Sequence, residues 1–155
     1  MNRYSSKRSI AIVATVVLAL ASLAGGAYAE LKDNNNGTIT DTTTGLVWLK
    51  NANCFGPRSW YSAVNSAAPG LSSGACGLSD GSKPGQWRLP TLNQLRARAA
   101  TRTGFSNVQS SGSYWSSETF AQNTSHAWLV YMGNNYPYQN DKNGYIYVWP
   151  VRGGQ

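Results

Sequence analysis

The alternation of apolar and polar positions divides the chain into short elements. Thr38-Ile39-Thr40 alternates and predicts a short strand, and Leu46–Leu49 predicts a second one carrying Trp48. Turn residues bound both: 33–37 holds an Asn-Gly pair, and 41–45 ends in Gly45. Trp60, Ala63, Val64 and Ala67 recur at helical spacing and predict a helix over 57–68, with Pro57 in its first turn and Pro69-Gly70 as its end. Residues 71–84 are Ser/Gly-rich loop. Leu92, Leu95 and Ala99 predict a second helix. Pro90 holds Leu89 extended, Thr91 suits the N-cap, and Gln94 completes a capping box. Trp87 and Leu89, two apart, would point the same way toward that helix. After 101–104, where this helix frays, the pattern turns to strands. These are Tyr114 to Ser117, then His126 to Met132 with Trp128, Val130 and Met132 inward. A polar and aromatic loop over 133–144 and a returning strand over 145–151 predict a hairpin with a long tip. The fold class is α+β: two helices on a small, mostly antiparallel sheet with long loops.

The first 29 residues read differently. Arg3, Lys7 and Arg8, an apolar run from Ile10 to Leu23, and Ala27-Tyr28-Ala29 have the layout of a secretory signal peptide, 1–29, with a single domain at 30–155. The apolar run is short for a membrane span of ~20 residues. Cleavage changes the charge: 13 basic residues lose three, and the remaining 10 against 6 acidic give +4 rather than +7. That excess favours acidic partners on an outer surface and is not the footprint of a nucleic-acid binder. Expected locations are periplasm, cell surface or extracellular space. Cys54 and Cys76 both follow the signal, so a disulfide is the simplest reading. A reactive thiol or a metal site are the alternatives, but one distant His supplies no ligand spacing.

Four blocks in order carry a family resemblance. They are Asp33-Asn34-Asn35-Asn36-Gly37-Thr38-Ile39-Thr40-Asp41 leading into Thr44-Gly45-Leu46-Val47-Trp48; Gly85-Gln86-Trp87-Arg88-Leu89-Pro90-Thr91; Tyr114-Trp115-Ser116-Ser117; and Val148-Trp149-Pro150-Val151-Arg152-Gly153-Gly154. The chain resembles the Lcl C-terminal domain family, named for collagen-like adhesins. The resemblance implies a C-type lectin-like fold and an adhesin-like role. Those adhesins are associated with sulfated glycosaminoglycans. The Arg-Leu-Pro-Thr block also recurs in formylglycine-generating enzymes, whose chemistry uses cysteine near the C-terminal part of the domain; here both cysteines precede the block.

The residues themselves offer two binding surfaces. Asn134, Asn135, Tyr136, Tyr138, Asn140, Asp141 and Asn143 mix planar rings with amides, which suits a sugar: its C–H face stacks and its hydroxyls need fixed donors and acceptors. The same composition serves protein paratopes and ordinary polar loops. Arg96, Arg98 and Arg102 are the second candidate; Arg98 and Arg102, four apart, would share a basic helix face for an acidic glycan, or simply a solvated one. Asp33, Asn35 and Asp41 have a calcium-loop flavour but lack the closing bidentate Glu, so no cofactor is expected and turn chemistry explains them better. Trp48, Trp87, Trp115 and Trp149 read as core, with Arg88 and Arg152 fixing carbonyls or stacking on rings. No Ser/His/Asp set, phosphate loop or carboxylate pair marks an enzyme. The expected function is a non-enzymatic exported module binding glycan or surface polysaccharide. The alternative is an assembly subunit using protein partners or itself, and a formylglycine-generating-type enzyme stands third.

Overall fold

The computed structural model describes residues 30–154, so the signal-peptide reading lies outside the described residues. Nine strands form two sheets. The first has the order β1 (Leu31–Asp33), β2 (Thr38–Asp41), β3 (Leu46–Leu49), β9 (Val151–Gly153), all antiparallel. The second runs β4 (Pro57–Arg58), β8 (Ile146–Tyr147), β5 (Ser113–Thr119), β6 (His126–Tyr131), β7 (Tyr136–Asp141). In it the one bridge between β5 and β8 is parallel and the other pairings are antiparallel. The fold is α+β as expected, but with two sheets rather than one.

Local chemistry fixes the turns. Asn35 and Gly37 adopt left-handed φ of 56° and 83° between β1 and β2. Asn36 Oδ1 accepts from the Thr38 backbone N–H and hydroxyl, closing the turn. In the next turn Asp41 Oδ1 accepts the N–H groups of Thr43 and Thr44. The second helix, α2 (Leu92–Ala100), starts where predicted: Thr91 accepts from Gln94 N–H while the Gln94 side chain accepts from Thr91 N–H. A cap of this kind stabilises by about 1 kcal/mol. Glu118 Oε1 takes the Leu92 N–H at 2.8 Å, so the acid on β5 also neutralises the positive end of α2.

The first helix is a correction. Pro57 is not in its first turn, because Pro57–Arg58 pairs with β8. Ser59 caps instead, accepting from Ser62 N–H, and α1 (Trp60–Ser62) passes into a π-helical turn, Ala63–Ala67. The Ala68 N–H bonds back to Ala63 at 3.1 Å, and this wider winding turns both alanines inside. Trp60 Nε1 donates to Ser116 on β5, fixing the helix to the larger sheet.

The hairpin is the larger correction. Residues 133–144 are not a long tip, and 145–151 is not the partner of β6. Strand β7 pairs with β6 along its whole length, from Tyr131 opposite Tyr136 to His126 opposite Asp141. The returning segment instead gives β8 beside β5 and β9 beside β3. Strand β7 is an edge strand without apolar alternation, so its sequence looked like loop. Backbone pairing makes it a strand, and an edge tolerates Pro137.

Two buried clusters hold these layers. The first unites Trp48, Leu49, Trp87, Leu95, Ala99, Tyr114, Val130, Met132 and Trp149, between the smaller sheet, α2 and one face of the larger sheet. Trp149 is its centre, with Phe105, Tyr114 and Trp48 rings 4.9, 5.4 and 5.5 Å away. Its indole N–H donates to Leu49 O at 2.9 Å. Burial pushes the Tyr114 phenol up to about 12, so it stays neutral and its oxygen accepts the Gln109 N–H. The second cluster, on the opposite face, joins Trp115, Ala127, Leu129 and Val148 to Ala63, Ala68 and Leu89. Trp87 and Leu89 thus enter different clusters, contrary to the expectation of one shared direction. Trp128 is half-buried against Phe120 at 5.0 Å rather than inside with Val130 and Met132.

Candidate functional site

The tyrosine-rich surface follows from the register of β6 and β7. Cross-strand partners share a face, so Tyr131 and Tyr136, Leu129 and Tyr138, and Ala127 and Asn140 line one side. On β6, Ala127 and Leu129 are buried under the first helix and its neighbours. One strand further out the cover ends: Tyr136 is 64% exposed and Tyr138 48%. The turn presents them. Asn135, at φ 61°, sends its N–H to Tyr131 O at 2.9 Å. Asn134 Oδ1 accepts the Tyr136 N–H, and its Nδ2 donates to the Tyr138 hydroxyl, both at 3.0 Å. Asn134 therefore ties the Tyr136 backbone and the Tyr138 hydroxyl to one turn. Asn140 and Asp141 serve the backbone instead: Asn140 Oδ1 accepts the Asp141 N–H, and Asp141 Oδ1 accepts the Asn143 N–H. The structure brings Asn134, Tyr136 and Tyr138 into one surface and shows Asn135, Asn140 and Asp141 shaping it. Tyr131 completes this face and was missed; its pairing with Tyr136 shows only once β7 is recognised as a strand.

The basic face does not exist as expected. Arg98 is 1% exposed. Its Nη2 meets Asp41 Oδ2 at 2.7 Å, its Nη1 donates to Thr101 O, and its guanidinium lies over the Trp48 and Phe105 rings at 5.3 and 5.4 Å. Burial pushes its pKa down and Asp41 opposes that shift. Arg102 lies beyond the helix end and donates to Met132 O at 2.9 Å, clamping the end of β6. Arg96 alone of the three is exposed. The expected shared helix face is not formed: Arg98 is on the face of α2 packed inward, and Arg102 follows the end of the helix.

The other candidates resolve as follows. Cys54 and Cys76 are disulfide-bonded, with Cα atoms 5.5 Å apart. Asp33 pairs with Lys50 while Asp41 pairs with Arg98, so the two carboxylates of the calcium-like loop face different cations. Among the described residues no group of three or more His, Cys, Asp or Glu could hold a metal. Arg88 bonds Leu89 O, Gln94 and Gly153 O, tying α2 to the last strand. Arg152 pairs with Asp80 at 2.9 Å and lies over Trp87 at 5.2 Å. Lys142 was not anticipated: it is 6% exposed, with Nζ 4.2 Å from the Trp60 ring centre and 2.9 Å from Thr119 Oγ1. Only the fold places that ammonium over a ring. No helix of the described residues is long and apolar enough to cross a membrane.

No curated protein matches this chain. Residues 37–152 match the Lcl C-terminal domain, a span that runs from β2 into β9 and takes in both helices and the disulfide. The chain belongs to the Lcl C-terminal domain family.

Proposed function

We propose that this domain is an exported, non-enzymatic, adhesin-like module that recognises glycan on the Tyr136–Tyr138 face. The observation that carries this reading is a pair of exposed tyrosines at the free edge of a sheet, on a turn where one amide bonds the Tyr136 N–H and the Tyr138 hydroxyl. A ring held before binding, as Tyr138 is by its hydroxyl, loses little freedom when a sugar stacks on it, and the Tyr hydroxyls and Asn134 offer polar partners at the ring edges. The expected basic cluster is not available to a sulfated glycan, since Arg98 is inside and Arg102 donates to Met132 O. The reading therefore favours a neutral sugar face over a sulfated one. Export is supported by the signal-like N-terminus and the disulfide. A C-type lectin-like architecture is our reading of two helices and of β1 and β9, near the two ends of the chain, sharing one sheet. Both cysteines are bonded to each other, which removes the thiol a formylglycine-generating mechanism needs.

An assembly subunit would use the same tyrosines or the β7 edge. That edge is blunted: Pro137 has no N–H, and the Asp141 N–H is taken by Asn140. The test is a glycan array on the mature chain, with and without calcium and across a salt series. Binding that survives salt and calcium removal and disappears in Tyr136→Ala with Tyr138→Ala is the expected result. A wild type that binds no glycan yet forms a defined oligomer would replace this reading with the assembly one.

A further inference from the structure

A cleft of about 280 Å³ lies beside the disulfide, lined by Gly37, Lys50, Asn51, Cys76, Gly77 and Ser106. Segments far apart in sequence meet there: the first hairpin, the end of β3, the disulfide loop and the stretch after α2. The volume is just below the ~300 Å³ at which ligand pockets usually begin, so it suits one small group. At this cleft the first hairpin and the disulfide loop approach closely, and a Cβ on Gly37 would collide with the Gly77 carbonyl.

The polar groups lining this cleft are unevenly used. Two of its backbone acceptors are engaged: Gly37 O takes the Lys50 N–H at 2.9 Å, and Lys50 O takes the Ser106 N–H at 2.9 Å and its hydroxyl at 3.3 Å. Asn51 Oδ1 receives the Asn53 N–H and Asn107 Nδ2 at 3.2 and 3.0 Å. Those two bonds orient the amide, and its Nδ2 donates to nothing among the described residues. Lys50 gives one of its three ammonium donors to Asp33. The lining therefore brings a residue with spare ammonium donors and one with a free amide N–H pair to the same cleft. Such a donor set matches a carboxylate, whose two oxygens only accept.

We propose that this cleft is a carboxylate subsite, holding the acid group of a small sugar acid between the Lys50 ammonium and the Asn51 amide. The group can come from a uronic acid residue of a polysaccharide or from a free small acid. Asp33 orients Lys50 from the rim, and its own charge keeps the affinity low. The site is separate from the tyrosine face and does not depend on it.

Titration of the ¹⁵N-labelled mature chain with galacturonate, acetate and glucose tests the proposal by amide chemical shifts. Galacturonate should move Asn51, Gly77 and Ser106 saturably, with a dissociation constant on the order of 1 mM. Lys50→Met should weaken this about tenfold. Ser106→Phe, at an exposed position on the cleft, should abolish it while leaving the unfolding midpoint unchanged. Tyr136→Ala with Tyr138→Ala should leave the shifts intact, so failure of the tyrosine face and of this cleft are read separately. An acetate response equal to that of galacturonate supports recognition of the carboxylate alone; a galacturonate response without acetate adds contacts from the ring. Equal response to glucose, no response at all, indifference to Lys50→Met, or loss in the tyrosine variant overturns the subsite.

Discussion

Two aromatic groups on the five-stranded sheet have opposite fates. Tyr114 on β5 is fully buried with Trp149, Phe105 and Trp48, while Tyr136 and Tyr138 on β7 are open to solvent. The residue types are alike and so is the strand geometry. What differs is cover: α2 and the smaller sheet close over Tyr114, whereas Tyr136 and Tyr138 stand on the opposite face of the last strand, past the cover that the first helix gives Ala127 and Leu129. Aromatic content by itself does not separate core from binding surface. The position of a strand in its sheet does. The same rule governs the arginines, since Arg98 sits on the covered side of α2 and Arg96 on the open side.

The sharpest way to break this comparison is to remove Arg98. Its partner Asp41 would remain buried and lose its counter-charge, and breaking a buried pair costs roughly 3–5 kcal/mol. Arg98→Ala should lower the unfolding free energy measured in urea by that order. Arg98→Met with Asp41→Asn should recover much of the loss, because no lone charge is left behind. A loss in Arg98→Ala near that of an exposed substitution would return Arg98 to the surface and with it the basic-face hypothesis.

A smaller effect should appear on acidification. Burial tends to raise the Asp80 pKa, but its bonds from Ser82 and the nearby Arg152 outweigh that and hold it below the usual carboxylate range. Asp33 is lowered too, first by its bond from Lys50. Groups with depressed folded pKa values contribute stability that is full above the unfolded value of about 3.9 and is lost as pH falls through the folded one. The unfolding midpoint should therefore hold from neutral pH to about pH 5 and decline below about pH 4. Asp80→Asn should lower the plateau and flatten that decline. An unchanged slope in the variant would remove Asp80 from the account.

Legibility in the sequence followed locality. The capped start of α2, the strands at Thr38–Thr40 and Leu46–Leu49 and the four buried tryptophans were readable from neighbouring residue chemistry or large apolar side chains, and the disulfide from two cysteines behind the expected export signal. Strand β7 was not readable: edge strands need no apolar alternation, so Tyr136 to Asp141 resembled a loop. The split of 145–153 between two sheets was also hidden, since both pairings join residues distant in sequence. For the candidate site the tyrosines and amides were named, but not the surface they share with Tyr131. The Lys50–Asn51–Ser106 cleft depends entirely on tertiary placement.

The smallest stability effect is expected where the functional one is largest. Tyr136 and Tyr138 bury little beyond the sheet they stand on, and exposed substitutions usually change stability by less than about 0.5 kcal/mol. One bond is lost on truncation, from Asn134 to the Tyr138 hydroxyl, but Asn134 keeps its bond from the Tyr136 N–H, so the turn survives. Tyr136→Ala with Tyr138→Ala should thus unfold within about 0.5 kcal/mol of wild type while losing glycan affinity. The contrasting substitution is Tyr114→Ala, which should cost several kcal/mol through the cavity left against Trp149. Urea unfolding and array binding measured on the same preparations compare the two regions directly. If the β7 variant is as destabilised as the β5 variant, the exposed rings belong to the fold rather than to a partner. If it is stable and still binds, the glycan site lies elsewhere on the molecule.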